Sequence, residues 1–168
     1  MSPTPLMTRI GINSGQMVVG NMGTTAKMNY TIMGNAVNLS ARLEGVNKQY
    51  GTWILTTEYT ANDTGDRFLF RRLDSVRVVG INTPVLLQNL LGVRSELPPE
   101  TFELVEQFHK GMDAFEARDW KAAAAIFTAL ETRFPEDGPS KLYSKRSQEF
   151  LAKPPVATWD GVFNLTEK

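Results

Sequence analysis

The run Y-T-I-M-G-N-A-V-N-L-S-A-R-L-E, Tyr30 to Glu44, crosses from a β-rich stretch through Gly34 into an apolar helical pattern. The pattern predicts a helix beginning near Asn35, with Val37, Ala41 and Val46 turned inward. Asn38 and Arg42 then stand at i and i+4, stacked on one face. This pairing suits a phosphorylated ligand. A guanidinium offers phosphate oxygens a rigid fork of donors, and an amide one turn earlier can hold a neighbouring sugar or phosphate group. The same spacing also fits a surface contact of Arg42 with Glu44 or solvent, with Asn38 as a first-turn polar residue. Spacing alone leaves both readings open.

Outward from this stretch, short β-rich runs alternate with polar breaks. Arg9 to Asn13, Gln16 to Asn21, Asn29 to Met33, Trp53 to Thr56, Arg67 to Val79 and Pro84 to Leu91 read as strands. Gly34 to Tyr50 is the main helix among them, and Thr57 to Asn62 reads as a short second one. Gly11, Gly15, Gly20 and Gly23 punctuate the first two strands, a density that allows a tight hairpin and close backbone approach.

Near Leu97-Pro98-Pro99 the composition shifts to helix formers. Glu100 to Arg118, Trp120 to Arg133 and Pro139 to Ala152 read as three helices. The expected organisation is residues 1–92 as a β-rich unit, 93–99 as a linker, 100–153 as an all-α helical-hairpin tail and 154–168 as an extended C-terminal segment. The fold class read from this is α+β. Gly111, Ala123, Phe127 and Pro135 stand at the spacings of a tetratricopeptide repeat, in which a small residue lets two helices cross closely and an aromatic fills the groove. A lone repeat leaves a face needing cover, so it should pack on the β-rich part or on another protomer.

Composition narrows the functional classes. Eighteen basic residues face eighteen acidic ones without a run of either sign, so there is no electrostatic reason to expect a nucleic-acid partner. With no cysteine, disulfides and thiolate metal sites are excluded. The single histidine, His109, cannot build a histidine cluster and reads as an ordinary helix residue. No apolar run approaches the roughly 18–20 residues of a membrane span, and Met1 to Thr8 lacks a signal-peptide core. A cytoplasmic chain is expected, whose longer parent could be membrane-tethered.

Three quoted runs carry a resemblance when taken together: R-I-G-I-N-S-G-Q-M-V-V-G-N-M-G from Arg9 to Gly23, the opening stretch, and N-K-Q-Y-G-T-W-I-L-T from Asn47 to Thr56. From roughly Thr8 to Gly92 the chain resembles the C-terminal half of a class III adenylate/guanylate cyclase catalytic domain. The helical tail is similar to the tetratricopeptide-like extension that follows such domains in some bacterial cyclases.

The resemblance implies a fold: the C-terminal part of a ferredoxin-like domain, with a mainly antiparallel sheet and one main helix. It also implies a reaction, in which the ribose 3′-oxygen attacks the α-phosphorus of ATP to give 3′,5′-cyclic AMP and pyrophosphate. Arg42 matches the family's transition-state arginine and Asn38 its ribose-orienting asparagine. Thr31 matches the purine-selecting position, where threonine goes with adenine, so ATP is expected over GTP.

The departures are equally specific. The family's two metal-binding aspartates, which hold Mg2+ or Mn2+, and its purine-pairing lysine lie before the motif that starts here at Arg9. No carboxylate precedes Glu44. Where the family usually has a phosphate-binding lysine this chain has Val79. Arg77, on the same strand face about 7 Å away, is the candidate phosphate contact. The expectation is a chain that is inactive alone, with no metal bound specifically, whose partner is a second copy or the missing N-terminal, metal-binding half of a cyclase domain. A homodimer would bring two arginine halves and no metal half, so it would not restore activity. Without its usual sheet neighbour, the Thr8–Asn13 strand should leave Ile10 and Ile12 uncovered, inviting self-association or docking of the tail. Two alternatives stand beside this reading: a catalytically dead cyclase-like regulatory or nucleotide-binding module, and a tetratricopeptide-type interaction module.

Overall fold

The structure, a computed structural model, describes residues 6–78 and 83–165. Strand β1 (Ile10–Ile12) is followed by a hairpin of β2 (Val18–Thr24) and β3 (Lys27–Met33), helix α1 (Asn35–Tyr50), β4 (Ile54–Thr57) and the short α2 (Glu58–Asp63). Strands β5 (Phe68–Val78) and β6 (Val85–Val93) come next. Helices α3 (Pro99–Glu116), α4 (Trp120–Arg133) and α5 (Gly138–Ala152) then lead to β7 (Phe163–Leu165). The elements match the sequence pattern in type and lie within a few residues of the expected bounds. The exception is β7, which the sequence reading left inside an extended segment.

The main sheet runs β1-β4-β6-β5-β7, and β2 with β3 forms a separate two-stranded ladder. The expected mainly antiparallel sheet is mixed: β4–β6 and β5–β6 are antiparallel, whereas both edges, β1 on β4 and β7 on β5, are parallel. The long β5–β6 ladder shifts register between Arg72 and Asp74, a bulge at Leu73.

Helix α1 presents Leu39, Leu43, Val46, Asn47 and Tyr50 to the interior. This corrects the phase read from sequence. Val46 is buried as expected, but Val37 is only half-buried and Ala41 is exposed. The leucines carry more apolar area than Ala41, and burying each stabilises the fold by about 1.5–3 kcal/mol. The helix ends at Gly51, whose φ of 66° is a left-handed cap that disfavours side chains.

The core does not stop at the composition boundary near residue 92. One hydrophobic cluster runs from Leu39 and Leu43 through Leu73, Val76 and Leu87 to Phe108, Phe127 and Tyr143 of the three C-terminal helices. Phe127 packs edge-on to Phe108 at 5.3 Å, and a Cβ placed on Gly111 would lie 2.7 Å from the Phe127 ring. That is the close helix crossing expected from those two positions.

Polar contacts across the same junction are buried. Tyr143 Oη donates to the Leu73 carbonyl at 2.7 Å, and Arg146 pairs with Asp74 at 2.8 Å. Tyr50 Oη donates to the same Asp74 carboxylate at 2.5 Å. The helices therefore dock at β5 and at the end of α1, where Gly138 touches Gly51. They leave the β1 edge open, with Ile10 and Ile12 exposed at 43% and 37%.

Candidate active site

Gly34 stands between β3 and α1 with φ 149° and ψ 166°, a conformation that side chains rarely adopt. It lets the hairpin run into the helix without a loop. No side chain caps the helix start, and its first turn holds no acidic residue, so an approaching anion meets no carboxylate there.

Asn38 and Arg42 sit one turn apart on α1, off the buried face. Asn38 is exposed and Arg42 half-buried. Thr31 lies on β3 opposite Gly20, exposed, three residues before the glycine junction. The three residues thus lie on one continuous piece of chain, the end of the hairpin and the first two turns of α1. Arg77 lies elsewhere. It is on β5, beyond β6 and β4 from α1's neighbour β1, and its guanidinium pairs with Asp160 of the C-terminal segment at 2.6 Å. Val79, read as replacing a lysine, lies outside the described residues.

What holds α1 in place is a set of side chains whose role the sequence reading missed. Ser40 Oγ donates to the Gly11 carbonyl at 2.8 Å, and Asn47 Nδ2 to the Ile10 carbonyl at 3.0 Å. Asn13 Nδ2 donates to the Ala36 carbonyl at 3.1 Å. Helix and strand approach so closely that a Cβ on Gly11 would collide with the Ser40 carbonyl and the Glu44 amide. The available signal was polar residues in G-I-N-S-G and at Ser40 and Asn47, where amphipathic logic alone would put apolar ones.

His109 likewise has a defined place. Its Nε2 accepts the backbone N–H of Arg72 at 3.0 Å, at the β5 bulge. Burial pushes its pKa down, and the neighbouring Arg72 charge adds to this.

The hairpin beside the site exposes Val18, Val19, Met28, Tyr30, Ile32 and Met33, an apolar surface on a two-stranded ribbon. Among the described residues, no group of three or more His, Asp or Glu side chains could hold a metal ion. No helix among the described residues is long and apolar enough to cross a membrane.

The adenylate and guanylate cyclase catalytic domain matches residues 2–92. The terminal-differentiation-specific adenylate cyclase of Dictyostelium discoideum is 32% identical over 143 residues, covering 83% of this chain and 7% of that protein. That share exceeds the part matched by the catalytic domain, so the similarity runs on into the C-terminal helices. Adenylate cyclase 1 of Rhizobium meliloti is 38% identical over 86 residues, 51% of this chain and 13% of that protein. This chain thus spans a small fraction of either relative. The crystal structure of the adenylyl cyclase CyaB from P. aeruginosa is 33% identical, covering 57% of this chain and 48% of that one, with a TM-score of 0.48. With more than half its residues matched, this chain belongs to the adenylate and guanylate cyclase catalytic domain family.

Proposed function

We propose that this chain is the C-terminal part of an adenylate cyclase catalytic domain that converts ATP to 3′,5′-cyclic AMP and pyrophosphate. The observation that carries this reading is the placement of Asn38 and Arg42 one turn apart on α1, off its buried face, directly after the hairpin that bears Thr31. In the reaction the ribose 3′-oxygen forms a bond to the α-phosphorus, the bond to pyrophosphate breaks and the 3′-hydroxyl loses its proton. Negative charge grows on the α-phosphate oxygens. Arg42 meets it with a planar fork of donors, so its interaction strengthens in the transition state. Asn38 orients the ribose for in-line attack. Thr31 contacts the purine and favours adenine.

In this reading the carboxylates for Mg2+ or Mn2+ come from the complementary half of a cyclase domain, and the apolar hairpin is the surface on which that half assembles. The chain alone is inactive. Residues 1–92 form the partial, ferredoxin-like catalytic part and 93–99 the connection. Residues 100–153 form a tetratricopeptide-like tail sharing the core, and 154–168 the closing segment.

The test is turnover by this chain fused to a metal-binding half that completes the domain. Arg42→Ala should lower kcat by about 10²–10³ with KM nearly unchanged, the scale of a lost oxyanion donor. Arg42→Lys should rescue poorly, since an ammonium does not reproduce the fork. A change in KM alone, or turnover within about threefold of the starting protein, would return Arg42 to the surface-contact reading.

A further inference from the structure

Among the described residues, three side-chain bonds join α1 to β1 and to Asn13 directly after it, and they form a series. Ile10 and Gly11 of the strand, and Asn13 directly after it, bond to residues 47, 40 and 36 along the helix. The apolar face of α1 is held by contacts that have no direction and tolerate small slides and rotations. Hydrogen bonds near 3 Å are directional and do not. Two of the three bonds act at residues 40 and 47. The first turn, with Gly34 as N-cap, has no side-chain cap, and Asn13 reaches it through the Ala36 carbonyl.

The other end of the Asn13 carboxamide is also engaged. Its Oδ1 accepts from Thr57 Oγ1 at 2.6 Å, at the end of β4. The adjoining backbone is fixed as well, because the Ser14 amide donates to Thr60 Oγ1 at 2.8 Å. One amide therefore links the first turn of α1 to β4, two residues before Asn38.

We propose that Asn13 is a positioning residue for the Asn38–Arg42 pair: it fixes the angle at which the first turns of α1 face the nucleotide. This rests on the cyclase reading of that pair. Catalysis is sensitive to such placement, since an error of about 1 Å costs on the order of 10²-fold in rate. Asn13→Asp keeps the acceptor for Thr57 but replaces the donor with an oxygen that faces the Ala36 carbonyl. Asn13→His places a ring N–H the same number of bonds from the backbone and can restore the donor.

Two measurements decide it. The chain has no cysteine, so spin labels can be placed at exposed Ala41 and exposed Lys121 by A41C and K121C alone. Electron–electron double resonance on the full chain should give a narrow distance distribution, broadened or shifted by Asn13→Asp and narrowed again by Asn13→His. In the completed domain, Asn13→Asp should lower kcat on the order of 10²-fold with little change in KM, and Asn13→His should recover most of it. Unchanged distances, or wild-type kcat with Asn13→Asp where Arg42→Ala is inactive, would overturn the proposal. If Arg42→Ala itself leaves turnover intact, the cyclase reading is what fails. The distance measurement then still judges whether Asn13 sets the angle of α1.

Discussion

The imidazole of His109 on α3 accepts the backbone N–H of Arg72 on β5, Nε2 to N at 3.0 Å. Only a neutral ring with its proton on Nδ1 can do this. Burial first, then the charges of Arg72 and Arg71, lower its pKa from the ordinary 6.5, with Asp113 opposing. A histidine depressed in the folded state contributes stability above its unfolded pKa. That contribution is lost as pH falls below about 6.5 towards the folded value, because the unfolded chain takes the proton first. The thermal midpoint should therefore fall on moving from pH 7.5 to 5.5. His109→Gln, which offers an oxygen acceptor and does not titrate, should show a flatter profile. Equal slopes for the two proteins would show that His109 carries no part of the pH dependence.

Arg71 and Asp137 form a buried ion pair at 2.9 Å, with side chains 2% and 12% exposed. The guanidinium also donates to Asn89 Oδ1 at 2.9 Å and lies over the Phe108 ring at 4.7 Å. Removing one partner leaves a buried charge uncompensated, which costs about 3–5 kcal/mol. Asp137→Asn removes the charge yet keeps an oxygen to accept the Ser140 N–H and so cap α5. It should lower the unfolding free energy in urea by about that amount, and adding Arg71→Met should restore more than half. If the double variant is no more stable than Asp137→Asn, the pair is not the source of the loss.

Gly11 and Gly20 look equivalent in the sequence but should respond in opposite ways to alanine. At Gly11 the added Cβ meets the α1 backbone, whereas at Gly20 it meets nothing within 4 Å. Gly11→Ala should cost about 1–3 kcal/mol through forced displacement of α1. Gly20→Ala, on the exposed hairpin, should stay within about 0.5 kcal/mol. Chemical denaturation of the two variants side by side checks the contrast, and equal costs would refute the close β1–α1 approach.

Thr31 provides a specificity test in the completed domain. Thr31→Cys should shift the ratio of ATP to GTP turnover towards GTP on the order of tenfold, the weight of a small side-chain contact in a recognition pocket. Total rate with the better substrate should move less. An unchanged ratio would remove Thr31 from the purine site.

Local rules were enough for the elements themselves. Gly34 marks the strand-to-helix junction because few side chains adopt its φ of 149°. The i and i+4 spacing puts Asn38 and Arg42 together on any α-helix. The switch from period two to period 3.6 near Pro99 located the C-terminal helices. The three quoted motifs carried the family. None of these depends on distant chain.

The phase of α1 was misread because Val37, Ala41 and Val46 fit a helical stripe as well as Leu39, Leu43 and Val46 do. The choice is made by which side the sheet lies on, not by the period. The partners of Arg71, Arg77 and His109 were equally hidden. They lie 66, 83 and 37 residues away in sequence, joined only once β5 is in the sheet and the tail has folded back over it. The β7 strand has the same origin: Phe163–Leu165 is extended by composition, and the open edge of β5 makes it a strand. Sequence thus determined what each segment is, because φ/ψ preference and side-chain period act within a few residues. Tertiary structure decided which groups meet, because burial, which raises the cost of an unpaired charge, is a property of the assembled core.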